Sequence, residues 1–245
     1  MGPAINSNLN EYWPGMPINS KVFVYTRLVD MQEDFYFAQK DENGDWLKSR
    51  SAPGRINTPE NEGTTSVFLG AENQILFYTV CNQGGFGSCD LFYSMLEPNG
   101  TWGKRQNMGP VVNSSAWDAQ PSVSGDGNTL VFASARPGGF GGKDLWVSFR
   151  RNGQWGTPIN LGPTVNTEYD EEAPFLHYDG RTLYFSSNGH TGYGGHDLFL
   201  TRLGEDNKWG KPDNLGKGIN TASDDVGFYV DAYGYKAYFA SARQG

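Results

Sequence analysis

A motif that returns every fifty-odd residues constrains this chain more than any other feature, because self-similarity at a fixed period decides the architecture before any single residue is read. Asparagine followed by Ser or Thr stands at Asn6, Asn57, Asn113, Asn166 and Asn220, at intervals of 51, 56, 53 and 54. Trp46, Trp102, Trp155 and Trp209 follow at intervals of 56, 53 and 54, and Asp34, Asp90, Asp144 and Asp197 at 56, 54 and 53. Three markers share one period. Each unit offers four short strand-like runs, in the third copy Pro121 to Ser124, Thr129 to Ser134, Asp144 to Phe149 and Gln154 to Asn160, parted by Gly, Asn and Asp turn residues. No segment sustains a 3.6-residue apolar period, so the fold is expected to be all-β.

Four antiparallel strands per unit, repeated about an axis, describe a β-propeller blade. Phe23, Phe77, Phe132, Phe185 and Phe239 hold one position in the second strand of every unit and read as core, as do the repeated tryptophans between blades. The units run about 2–53, 54–108, 109–161 and 162–215, with a partial fifth at 216–245. The expectation is one domain over 1–245: a five-bladed β-propeller with four-stranded antiparallel blades, the last blade incomplete. Aromatics at 14% supply apolar area for a core, and 33 glycines supply the turns.

The wording of the repeat carries a resemblance. Asn-Thr/Ser, an acidic residue, Asp-Gly, Leu183-Tyr184-Phe185-Ser186-Ser187, the loop ending in Gly194-Gly195-His196-Asp197-Leu198-Phe199, and Trp209 with Pro212, Asn214 and Leu215 resemble the TolB-type, WD-like propeller repeat. The loops Gly84 to Asp90 and Gly138 to Asp144 are similar to those of OmpA-family, peptidoglycan-associated lipoproteins of Bacteroidota, including the PorE-type component of the type IX secretion system. That resemblance implies a periplasmic, outer-membrane-associated place in a peptidoglycan-linked secretion complex. Its implied partners are envelope proteins or peptide segments, with peptidoglycan reached only through domains outside this fragment.

Five residues after each repeated Asn stands a carboxylate: Glu11, Glu62, Asp118, Glu171 and Asp225. One reading is a ring at the channel mouth that binds a cation or a basic segment. The plainer reading is that each accepts turn N–H bonds or pairs with Arg27, Arg136 or Arg243. The repeated Asn reads as an Asx turn, and each repeated Asp as a cap on the amides of its own Gly-rich loop. Cys81 and Cys89 bracket a hairpin loop and suit a disulfide, which favours an oxidising compartment. His190 and His196 flank one loop without a visible third ligand, and the loops lack the spacing of calcium or phosphate loops, so neither metal nor cofactor is expected.

The formal charge of −8 excludes a nucleic-acid footprint, and no apolar run approaches a membrane span. Met1-Gly2-Pro3 lacks signal-peptide character, which places any export signal outside the fragment. The expected function is a non-enzymatic interaction scaffold, with Phe86, Phe140 and Tyr193 as anchors at loop tips. The alternative is a carbohydrate-binding or glycoside-hydrolase-like propeller acting at the channel mouth, with Asp170, Glu171 and Glu172 as its carboxylates.

Overall fold

A computed structural model describes all residues except 1, 17–21, 71–72, 83 and 244–245. The first sheet holds β1 (Asn10–Gly15), β2 (Val22–Val29), β3 (Gln32–Gln39) and β4 (Arg50–Ser51); the second holds β5 (Asn61–Leu69), β6 (Gln74–Cys81), β7 (Cys89–Met95) and β8 (Gln106–Asn107). In the third, β9 (Asp118–Val123), β10 (Thr129–Ser134) and β11 (Asp144–Arg151) are followed by β12 (Gln154–Trp155) and β13 (Ile159–Asn160), both paired to β11. The fourth comprises β14 (Glu171–Leu176), β15 (Thr182–Ser187), β16 (Asp197–Arg202) and β17 (Asp213–Asn214), and the last only β18 (Asp225–Val230) and β19 (Ala237–Ser241). All pairings within the sheets are antiparallel. No helix occurs among the described residues.

The architecture is a propeller of four blades plus a two-stranded sheet, so five complete blades are not seen. Inner strands touch in the order β1, β5, β9, β14, β18, and β18 returns to β1. The expected single fourth run of the third unit is split into β12 and β13, because Gly156 and Pro158 interrupt the pairing between them.

The core lies between sheets. Phe35, Ile56, Leu76, Tyr78 and Trp102 join the first two blades; Phe77, Leu91, Val112, Leu130 and Phe132 join the second and third; Leu145, Val165, Leu183 and Phe185 join the third and fourth. Each side chain of this size contributes about 1.5–3 kcal/mol on burial, so the repeat is a repeat of interfaces.

The repeated Asn is not the simple turn expected of it. Asn113 Oδ1 accepts from Leu91 N–H (2.8 Å) while its Nδ2 donates to Leu91 O (3.0 Å), so the side chain clamps the third strand of the preceding blade. Asn57 does the same to Phe35, Asn166 to Leu145 and Asn220 to Leu198. The repeated Asp caps its own loop in three blades: Phe140 N–H and Gly141 N–H donate to Asp144 at 2.7 and 3.1 Å, Phe86 and Gly87 likewise to Asp90, and Tyr193 N–H to Asp197, whereas Asp34 follows a tight turn at Asp30 and Met31 and accepts no loop amide among the described residues. Glycine is required at 141 because an added Cβ would stand 2.2 Å from Tyr169 O of the next blade. Cys81 and Cys89 form the expected disulfide across the base of the second-blade loop, which fits an oxidising, extracytoplasmic setting.

Candidate functional site

Each inner strand carries a β-bulge at the same place, with a left-handed residue in it: Trp13 (φ 54), Thr64 (φ 50), Gln120 (φ 59), Ala173 (φ 51) and Gly227 (φ 66). Four of the five are not glycine, a backbone conformation that persists only where surrounding structure holds it. Here neighbouring blades hold it. Thr79 Oγ1 accepts from Gln120 N–H (2.9 Å) and bonds Thr64 Oγ1 (2.7 Å), and Gln120 Oε1 accepts from Ala173 N–H (2.7 Å). The bulges line a central cavity of about 70 Å³, floored by Phe175, Tyr178 and Tyr229.

The five repeated carboxylates are turned away from this cavity. Asp118 accepts from Ser114 N–H (2.6 Å), Ser114 Oγ (2.7 Å), Ser134 Oγ (2.5 Å) and Arg136 Nη2 (2.6 Å). Glu171 accepts from Thr167 N–H and Oγ1 (both 2.7 Å) and Ser187 Oγ (2.8 Å), and Asp225 from Thr221 N–H (2.7 Å), Thr221 Oγ1 (2.8 Å) and Arg243 (2.9 Å). Glu11 accepts from Ser7 and Arg27, and Glu62 from Thr58 with Arg105 at 3.5 Å. None of the five is among the residues lining the cavity. The reason is register: Asp118, Glu171 and Asp225 stand opposite Ser134, Ser187 and Ser241 at the end of the second strand, inside the blade.

Burial, set against hydrogen bonds, shifts the acidity of three of them. Burial pushes Asp225 up, but Ser241, Thr221 and Arg243 together hold it below the ordinary range. Glu171 has no arginine partner among the described residues, and burial leaves it raised. Glu62 is pushed by burial from 4.5 up to about 7, against the Thr58 bonds and Arg105. The native state therefore keeps a proton that the unfolded chain releases between pH 4.5 and about 7, so this group makes stability fall as pH rises through that window. Glu62→Gln should flatten the fall in denaturation midpoint measured from pH 4 to 8; an unchanged slope would mean that Arg105 keeps Glu62 ionised throughout.

Chemistry that breaks the symmetry lies one position further along, at the junction of the third and fourth blades. Glu172 Oε1 takes a bond from Lys143 Nζ, and its Oε2 accepts from Gln120 Nε2 (3.3 Å). Asp170 Oδ1 accepts from Lys143 N–H (2.9 Å), and its Oδ2 lies 3.7 Å from Lys143 Nζ. Burial works against the Lys143 ammonium, but Glu172 and Asp170 outweigh it and raise its pKa. Asp170, Glu172 and His196 offer atoms within 4.8 Å of one another, the spacing of a cation site, although the Lys143 ammonium already sits beside both carboxylates and offsets one of their two charges. His190 instead bonds Val165 O (2.8 Å) and lies against Phe185 and Phe199. Of the acidic triplet, Glu171 is thus structural while Asp170 and Glu172 converge. Lys143 was the residue that sequence reasoning missed; its signal is that Glu33, Cys89, Lys143 and His196 hold one repeat position with four different side chains.

Phe86, Phe140 and Tyr193, at one loop position in successive blades, are 46, 50 and 51% exposed. Phe140 and the exposed Tyr169 flank a groove with Asn166, Thr167 and Gly189, next in sequence to Asp170.

No protein-family model matches the sequence, and no curated protein matches it. Solved structures do match its shape. TolB from Acinetobacter baumannii superposes with a TM-score of 0.56 at 12% identity, over 99% of this chain and 57% of that one. The chain therefore spans little more than half of TolB. An endo-arabinase from Bacteroides thetaiotaomicron gives a TM-score of 0.64 at 15% identity over 98% of this chain and 90% of its own, and an α-L-arabinofuranosidase from Lactobacillus brevis 0.61 at 12% over 100% and 87%. The expectation of a non-enzymatic chain is corrected by these likenesses: a fold shared almost end to end with two glycosidases is one that carries catalysis, and a repeated surface is no ground for excluding it. What they establish is the fold, a β-propeller of the kind found in TolB and in propeller glycosidases.

Proposed function

We propose that the chain binds a glycan on the face carrying the Gly-rich loops and cleaves it with Glu172 and Asp170. The observation that carries this reading is the convergence of those two carboxylates on Lys143 at the junction of the third and fourth blades, beside Gln120 of the channel wall. An oxygen of each lies within 4.8 Å of the other, which brings together the two carboxylates that glycoside hydrolysis uses. Glu172, fixed at both oxygens by Lys143 and Gln120, suits the attacking carboxylate. Asp170, more exposed at 30% against 14%, is the one that a leaving group or a water can reach. Phe140 and Tyr169 offer apolar ring faces to the C–H side of a sugar. The glycosidase likenesses supply substrates to try. Incubation with arabinan and arabino-oligosaccharides should release reducing ends from at least one, and a panel yielding neither cleavage nor saturable binding would end this reading.

A second reading keeps the same face for an envelope protein or peptide segment, favoured by the arc of Phe86, Phe140 and Tyr193. On it the chain sits on the periplasmic side of the outer membrane in a peptidoglycan-linked secretion complex of the OmpA-family, PorE type. That placement rests on the repeat resemblance, and the TolB likeness is compatible with it.

A further inference from the structure

In every complete blade one row of paired residues crosses the second, third and fourth strands on the side that packs against the next blade. The row is Val24, Phe37 and Arg50 in the first blade, and Phe77, Tyr93 and Gln106 in the second. In the third it is Val131, Val147 and Ile159, and in the fourth Tyr184, Leu200 and Asp213. Residues opposite one another in an antiparallel pair project from the same face, so each row presents its side chains together. The second-blade row is closed. The Phe77 ring meets Trp155 of the third blade edge-on with centroids 6.1 Å apart, and the Tyr93 hydroxyl donates to Gln106 Oε1 (2.8 Å). The first blade has the smaller Val24 in the place of Phe77, and Arg50 in the place of Gln106. Only this row ends in a cation.

Between the first and second blades the space is correspondingly open. A groove of about 620 Å³ runs there, at the ends of the strands away from the Gly-rich loops. Its walls include Val24 and Phe37 from one blade and Val67, Leu69, Leu96 and Trp102 from the other, and Leu47 stands in its rim 48% exposed. That volume falls within the ~300–1,000 Å³ of clefts that enclose small molecules. The charges in the lining are Lys48 and Arg50, both exposed. No Asp or Glu lines the groove, although the chain has 27 acidic residues against 19 basic ones. Neither cation forms an ion pair with a described carboxylate. An apolar cleft and two uncompensated cations coincide.

We infer that this groove binds a free long-chain fatty acid, with its alkyl chain between Val24, Val67 and Leu69 and its carboxylate at Arg50 and Lys48. Aliphatic walls accept a hydrocarbon chain, whereas the hydroxyls of a sugar would be buried against them unpaired. The planar guanidinium of Arg50 matches a carboxylate through two parallel hydrogen bonds, and the Lys48 ammonium adds a second positive charge. The site lies at the opposite end of the blades from Glu172 and does not depend on a glycan being the substrate.

The test is calorimetric titration of myristate, below its micelle concentration, into the intact 245-residue protein. One saturable site is expected, with dodecanoate, two methylenes shorter, binding about tenfold more weakly. Exchanging both cations, Lys48→Gln with Arg50→Gln, should weaken myristate about tenfold and leave the melting temperature unchanged, since both side chains are exposed. Val24→Phe gives the first blade the residue of the second and should abolish binding by filling the groove. Should that variant fail to fold, the double exchange and a cationic amphiphile of equal chain length, tetradecyltrimethylammonium, still decide. Unsaturable uptake, equal affinity for the cationic amphiphile, or indifference of a folded Val24→Phe protein to the substitution would overturn the site. So would a second copy covering the groove, seen as a concentration-dependent dimer that myristate does not dissociate.

Discussion

Asp118→Ala should lower the melting temperature by roughly 6–20 °C, the equivalent of breaking a buried ion pair at ~3–5 kcal/mol in a chain of this size. The carboxylate is fully buried, and four donors converge on it from Ser114, Ser134 and Arg136. Removing it strands the Arg136 guanidinium, which also bonds Val112 O (2.7 Å) and lies over the rings of Phe132 and Trp146. An uncompensated charge left inside is the dominant penalty. Asp118→Ala with Arg136→Met should accordingly recover part of the loss, because the apolar stem keeps its contacts and no charge remains unpaired. Calorimetry on the three proteins decides it; a single variant within a few degrees of wild type would show that the turn closes without its carboxylate.

Glu172→Gln should abolish most of any glycan cleavage, lowering kcat by about 10²–10⁴ with little change in KM, the effect of removing one member of a carboxylate pair. The fold should survive, since an amide still bonds Gln120 and Lys143 keeps Asp170. The neighbouring Glu171→Gln makes the contrast. It alters a turn closure shared with Thr167 and Ser187, so it should depress stability and leave kcat near wild type below the melting transition. Full activity in Glu172→Gln, or loss in Glu171→Gln while folded, would assign the chemistry wrongly.

The all-β, antiparallel propeller sheets and the disulfide were legible because their signals are repeated or paired within a blade. The Phe series and the Asp loop caps stand where the period puts them, each satisfied locally. Contacts that cross from one blade to the next were not legible. Nothing in the sequence around Asn113 says that its amide reaches Leu91 rather than its own turn. The bulge was also silent, since Trp13, Thr64, Gln120 and Ala173 have no preference for a left-handed backbone and adopt it because neighbouring strands bond them there. Similarly, the five acidic residues drew attention by recurring, while the cluster at Glu172 and Lys143 is marked by failing to recur.

The asparagine clamp has a direction: Asn57, Asn113, Asn166 and Asn220 each fasten the preceding blade, always through the same donor and acceptor. A segment built this way fits behind any copy of itself. Tandem duplication anywhere in the interior thus creates a junction identical to those already present, and the number of segments in a lineage can change without any new surface having to evolve.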